Sequence, residues 1–339
     1  GVYPTTEEQR YPKAGTANPK VRIGVLTLAD GSIDWLSAAS NDLYIARAGW
    51  TPQGKVWMQR LNRDQDGLDL LLADPETGQA RRILSDSDDA WINIRDDLRF
   101  LADGRFLWTS ERDGWRHLYL FDPVGRPLKR LTSGEWQIDA VYGVDQEEKR
   151  AFIQANKDDL RRRHLYSVDL DSGEMSRLDG AEGGVHEAIV SPDGAWIIDH
   201  WSSLNSPPRW DLFKSDGTRV RTVWDTREAL EGWDLPPMEA GAFTTEDGVE
   251  LHSLLLRPRD FEPEKTYPVV LYVYGGPHSQ LTKDRWGGSI HHTYRVFAEH
   301  GMAVFLVDVS MSANPDRFGI WLKLLKAILD ANRAFATSP

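Results

Sequence analysis

The chain has 339 residues, no cysteine and a net charge of −12. That length accommodates two domains or one large repeat array. The acidic balance argues against nucleic acid as a partner, since no basic patch is there to displace phosphate counterions, and the lack of cysteine excludes disulfides, thiolate metal sites and Cys nucleophiles. No stretch reaches the roughly 18 apolar residues of a membrane span. The start, "GVYPTTEEQR", has neither a basic n-region nor an apolar h-region, so it is not a signal peptide. The expectation is a chain cut from something longer. Fourteen tryptophans fit a β-rich protein with many half-buried strands.

One phrase recurs along the first two thirds: an apolar strand, a turn with Asp or Gly, and a second strand. It reads "IGVLTLADGS" around Asp30, "LDLLLADPETGQARRIL" around Asp74 and "HLYLFDPVGRPLKRL" around Asp122. It returns as "HLYSVDLDSGEMSRL" around Asp169 and "WDLFKSDGTRVRTV" around Ser215, giving spacings of 44, 48, 47 and 46 residues. A second hairpin signal lies between these turns, at Asp103, Gln146 and Asp193. Asp-Gly between alternating apolar residues is a strong hairpin cue. Two hairpins per period make four strands per unit, the period of a β-propeller blade. Five units are visible between about residues 20 and 225. A β-sandwich array is the competing fold, but sandwiches rarely keep so even a period.

After residue 235 the pattern changes, so residues 1–234 are read as propeller and 235–339 as a second domain. Phe243–Thr245 and Leu251–Leu256 flank Asp247-Gly248 as a hairpin. Tyr267–Tyr274 is a nearly continuous apolar run, expected to be a strand buried on both faces. A helical pattern follows at about Thr293–Glu299, then an apolar strand at Met302–Val307 ending at Asp308, and a further helical pattern at 320–336. Strand, loop, helix, strand opens a doubly wound α/β domain.

The phrase "YPVVLYVYGGPHSQ", preceded by "TTEDGVELHSLLLRP" and by "SERDGWRHLYLFD", resembles the prolyl oligopeptidase clan. Within it the chain is most similar to the bacterial dipeptidyl peptidase IV group, which "RYPKAGTANPKVRIGV" also resembles; the resemblance covers roughly residues 8 to 308. It implies an all-β propeller, eight-bladed in the family, followed by the first part of an α/β-hydrolase domain, here truncated at both ends. It implies a serine-peptidase lineage that removes N-terminal dipeptides with Pro or Ala second, acting on peptides without a cofactor or metal, with homodimers among full-length members. The compartment it implies is periplasmic or cytoplasmic in a bacterium.

The family's chemistry needs a nucleophile on a G-x-S-x-G elbow, because the strained strand-to-helix turn leaves no room for neighbouring Cβ atoms. No serine here has glycine at both required positions. The nearest miss, "GGSIH" at Gly287–His291, is read as an N-cap or loop serine, and Ser310 and Ser312 lack flanking glycines. After Asp308 the chain reads "DVSMSANPDRFG" where the family has Arg-Gly, so residues 309–339 depart from the pattern. Tyr274 matches the family tyrosine whose hydroxyl helps hold the oxyanion; by resemblance it is the one catalytic-site residue, with nucleophile, acid and base absent. Glu7-Glu8 suggests the family's ammonium-binding glutamates but lies too close to "YPKAG", and is read as a terminal charge pair.

His278, His291, His292 and His300 lack metal-ligand spacing, no glycine-rich phosphate loop occurs, and "KDDLRRRH" (Lys157–His164) reads as a hairpin loop with solvated charges. Two functions remain open: a peptidase fragment inactive by itself, and a non-catalytic propeller module that binds peptides or a partner protein.

Overall fold

The computed structural model describes residues 3–8, 15–37, 43–94, 96–145, 147–180, 183–245, 248–274 and 280–308. Strands β1 (Gly24–Leu26) and β2 (Ile33–Trp35) form a two-stranded antiparallel ladder around the first expected turn. Four sheets of four strands follow in sequence order. They are β3 (Leu43–Trp50), β4 (Val56–Asn62), β5 (Gly67–Ala73) and β6 (Ala80–Ser87); then β7 (Arg99–Phe100), β8 (Phe106–Ser110), β9 (His117–Phe121) and β10 (Pro127–Arg130). Next come β11 (Ile138–Val144), β12 (Arg150–Ala155), β13 (His164–Asp169) and β14 (Met175–Arg177), then β15 (Val185–Val190), β16 (Trp196–Ser203), β17 (Ser206–Lys214) and β18 (Arg219–Asp225). These are the blade-like sheets of a propeller fold, one per repeat, with the first repeat represented by β1 and β2.

The turns explain the period. At Asp74, Asp122 and Asp169 the side chain accepts backbone N–H bonds from residues two to four further on, as at Glu76, Val124, Arg126 and Ser172. Asp103, Asp193 and Asp216 do the same for Arg105, Ala195 and Thr218. A short carboxylate mimics one arm of the turn and fixes where the chain reverses. In the fifth repeat this residue is Asp216, next to Ser215; in the hairpin at Gln146, which lies outside the described residues, it is Asp145. Bonding to backbone N–H groups holds the carboxyl pKa of Asp30, Asp169 and Asp216 below the ordinary value. Gly125 closes one such turn at φ +89°, where a Cβ would lie 1.6 Å from the Ile83 carbonyl oxygen, so only glycine fits.

Burial runs from the middle of each sheet outward. β8, β9 and β12 are buried along almost their whole length, whereas β10, β14 and β18 are largely exposed. Central strands covered on both faces read as continuous apolar runs, and outer strands carry the charge that discourages edge pairing. Contacts divide the chain into two compact units, residues 1–107 with 121–128, and residues 108–120 with 129–339. Inside the first, Leu36 packs with Val56, Met58, Leu71 and Ala73. Inside the second, Phe152, Leu165 and Leu178 pack against Ile197 and Phe213, joining the β11–β14 and β15–β18 sheets.

After the short 3-10 turn at Arg227–Leu230, the last sheet departs from the repeat. It contains β19 (Glu239–Thr244), β20 (Glu250–Leu256), β21 (Val269–Tyr274) and β22 (Ala303–Asp308), in the order β19-β20-β22-β21. β19, β20 and β22 are antiparallel neighbours, and β21 runs parallel to β22. Helix α1 (Gly288–Glu299) connects the parallel pair and buries His291, Tyr294, Arg295 and Ala298, a spacing that keeps one face inward. Tyr294 and Ala298 pack on Leu254, Leu256, Val304 and Leu306, together with Met238 and Leu204.

Two expectations are corrected. β21 is not buried on both faces: none of its residues is fully buried, and Val269, Tyr272 and Tyr274 are exposed. The reason is its place in the sheet, where among the described residues it pairs only with β22. The helix starts earlier than the pattern at Thr293 indicated, because Gly287 is its N-cap and Ser289 lies in its first turn. The expected helix at 320–336 lies outside the described residues.

Candidate functional site

Tyr274 is the last residue of β21 and stands opposite Asp308, the last residue of β22. Alternation along the parallel pair puts Val270, Tyr272 and Tyr274 on one face with Val304, Leu306 and Asp308. That face carries α1: Val270 packs in its cluster, and the Tyr272 and Tyr294 rings lie 5.9 Å apart. A phenol and a carboxylate therefore end two parallel strands side by side, at the C-terminal edge where open α/β sheets bind ligands. Tyr274 is 42% exposed and Asp308 fully buried, with the Thr282 hydroxyl 3.4 Å from its Oδ2. The turn Gly275-Gly276-Pro277 and His278 lie outside the described residues, as do Ser310 and Ser312.

Residues 280–286, which precede α1, are clamped onto the preceding two sheets. Arg163 Nη2 donates to Gln280 Oε1 at 2.9 Å, and Gln280 Nε2 donates to the Leu160 carbonyl at 3.0 Å. Asp284 accepts from Arg162 Nε at 3.0 Å and from the Leu204 N–H at 3.1 Å, while its own N–H donates to the Arg161 carbonyl. The Trp286 N–H donates to Ser202 Oγ. The run at Lys157–His164 is thus not a loop of solvated charges, as its composition suggested. Arg163 is buried and ion-paired with Asp139, and Arg162 pairs with Asp284. The partners lie 24 and 122 residues away, so nothing local in the sequence announced them.

Electrostatically this clamp is crowded with cations. Burial, and after it the neighbouring Arg163, pushes the Lys283 ammonium pKa down, with Asp139 and Glu187 opposing. Burial is also the first cause at His291, whose pKa is pushed down to about 4, followed by the Arg295 charge. Its Nδ1 accepts the Gly287 N–H at 3.0 Å, which requires an unprotonated nitrogen. The same closeness explains the glycine: a Cβ at Gly287 would fall 2.0 Å from the His291 ring. So "GGSIH" builds a helix start, and Ser289 there is exposed.

The other candidates are dispersed. Glu7 and Glu8 are exposed near the chain start. His292 meets the Trp286 ring edge-on at 5.6 Å, and His300 Nδ1 lies 2.8 Å from the Val296 carbonyl. A cavity of about 350 Å³ is lined by Asn205, Trp233, Trp286 and Arg295, and Tyr274 is not part of its wall. Among the described residues, a grouping of metal-ligand type occurs at His164, Asp179 and His186, in the propeller sheets. No helix of the described residues is long and apolar enough to cross a membrane.

Residues 1–208 match the family model for the dipeptidyl peptidase IV (DPP IV) N-terminal region. Human dipeptidyl peptidase 8 is 29% identical, over 88% of this chain and 42% of its own. Dipeptidyl peptidase 4 of Trichophyton equinum is 28% identical, over 84% of this chain and 39% of its own. The crystal structure of Porphyromonas gingivalis dipeptidyl peptidase 4 superposes with a TM-score of 0.82 at 31% identity, covering 88% of this chain and 43% of that one. The chain thus spans well under half the length of the relatives it matches. With a matched model over more than half its residues and a shared fold, the chain belongs to the dipeptidyl peptidase IV family.

Proposed function

We propose that this chain is part of a dipeptidyl peptidase IV-type serine peptidase, with residues 1–234 as propeller and 235–339 as the first part of its α/β-hydrolase domain. The reading rests on the pairing of Tyr274 with Asp308 at the ends of two parallel strands, beneath a helix that closes one face. In this role the Tyr274 hydroxyl donates a hydrogen bond to the oxyanion formed when a peptide carbonyl is attacked. Such a donor stabilises the transition state because it is aimed beforehand at the developing charge. The clamp of Gln280 and Asp284 on the arginine run holds residues 280–286 against the propeller sheets, and in this reading that segment sets one wall of a peptide-binding space.

The attacking group has no counterpart in these residues, since no G-x-S-x-G occurs among the 339. The chain alone is therefore expected to give no turnover of Gly-Pro p-nitroanilide above a buffer blank and no labelling by a fluorophosphonate. Turnover that survives repurification and is abolished by the fluorophosphonate would overturn the reading. In a polypeptide that continues through a nucleophile elbow, Tyr274→Phe should lower kcat about 100-fold with the fold intact. An unchanged kcat there would remove Tyr274 from the reaction.

A further inference from the structure

Arg295 is a cation that the fold removes from water without pairing it. It is 4% exposed within α1, and an arginine does not shed its proton. Burial pushes its pKa down, and among the described residues no carboxylate forms an ion pair with it. Its Nε donates to the Pro236 carbonyl at 3.4 Å, and Nη1 has no hydrogen-bond partner. The guanidinium carbon lies 4.6 Å from the centroid of the Trp286 ring. That indole offsets part of the charge from one face, but the N–H donors of a stacked guanidinium lie on its rim. A buried charge left in this state is destabilising unless a counter-ion meets it.

The same side chain lines the cavity of about 350 Å³ where the 227–237 segment, the start of β17 and α1 come together. A water takes up only about 30 Å³ of the liquid, so the space suits an organic molecule and not a bare ion. Leu230, Trp233, Leu235 and Trp286 supply apolar wall, and Trp233 is 70% exposed. The other charged groups of the wall have partners: Arg227 pairs with Asp225, and Asp234 with Arg259. The Asn205 amide is held at both ends by the Met238 backbone.

We propose that this cavity binds a small monocarboxylate with a planar apolar body, the carboxylate on the Arg295 guanidinium and the body against Leu230, Trp233 and Leu235. A planar carboxylate matches the guanidinium fork in two parallel hydrogen bonds. One unpaired positive charge calls for one negative charge, and the Asp234 carboxylate in the same wall works against a dianion such as phosphate. The bound molecule would tie the 227–237 segment to α1, and so the last propeller sheet to the α/β sheet. Tyr274 is not part of this wall, so the site stands apart from the proposed oxyanion position and does not depend on it.

The test is calorimetric titration of the whole purified chain with phenylacetate, in a buffer free of carboxylates and phosphate, beside the neutral isostere phenylacetamide. One phenylacetate per chain is expected, with a Kd of about 1 mM or tighter for a ligand of this size, and with a higher melting temperature. Phenylacetamide should bind at least about tenfold more weakly, because it brings no charge to the guanidinium. Phosphate should neither bind nor compete. Arg295→Met should abolish binding with the fold intact, and Trp233→Ala should weaken it about threefold or more by removing apolar wall. Absence of binding, equal affinity for the amide, displacement by phosphate, or full binding by Arg295→Met would each overturn the proposal. If Arg295→Met does not fold, Trp233→Ala takes its place under the same criterion, and the comparison of acid with amide on the unmodified chain decides in either case.

Discussion

Lowering the pH from 7.5 to 4.5 titrates an imidazole that the fold holds neutral. His291 is 6% exposed, accepts the Gly287 N–H and faces Arg295, His292 and Arg285, so its pKa is pushed down to about 4 from an ordinary 6.5. Unfolding releases this constraint, and the unfolded chain binds a proton first. The group's contribution to stability is therefore complete above about pH 6.5, falls as the pH drops below it, and is exhausted near pH 4. A full shift of this size corresponds to about 3 kcal/mol, an upper bound because solvent reaches part of the ring. Urea unfolding of the parent and of His291→Gln, which keeps an acceptor but does not titrate, isolates it from the carboxylates. Between pH 7.5 and 4.5 the parent should lose about 2–3 kcal/mol more than the variant. An NMR titration of the His291 ring should place its midpoint near 4. Parallel stability curves, or a midpoint near 6.5, would refute the reasoning.

Three further substitutions probe the architecture. Asp284→Ala removes the acceptor for Arg162 and for the Leu204 N–H, and should cost about 2–3 kcal/mol, read as faster proteolysis around α1 than in the parent. Gly125→Ala forces a Cβ against the Ile83 carbonyl at a left-handed φ, so it should lower the melting temperature more than Gly54→Ala, where the added atom meets nothing. Arg295→Met should be neutral or stabilising by about 1 kcal/mol in urea unfolding. The guanidinium is 4% exposed over the Trp286 ring, with Nη1 lacking a hydrogen-bond partner and burial pushing its pKa down. A loss of several kcal/mol would refute this and show that an anion answers that charge.

Much of the propeller is legible in the sequence. Its turns at Asp74, Asp122 and Asp169 are local events: one carboxylate bonds the backbone within a few residues, so composition and spacing carry the whole signal. The helix start at Gly287 was not legible, because its reason is an imidazole four residues on pressed against the glycine. The exposure of β21 escaped for a different cause, since an apolar run reports what a strand is made of and not how many neighbours it has. The His164–Asp179–His186 grouping was not legible, because its members come from two different sheets and only the fold brings them together.

By itself the sequence determined the fold class, the period of the strands, the family resemblance and the place of Tyr274 at a strand end. All of these depend on interactions between residues close along the chain. Only the tertiary structure decided that the arginine run docks residues 280–286, that Tyr274 ends opposite Asp308, and that two sheets meet through buried imidazoles and carboxylates. Those pairings join residues tens to more than a hundred positions apart, and a charge in a sequence does not say which distant group removes it from water.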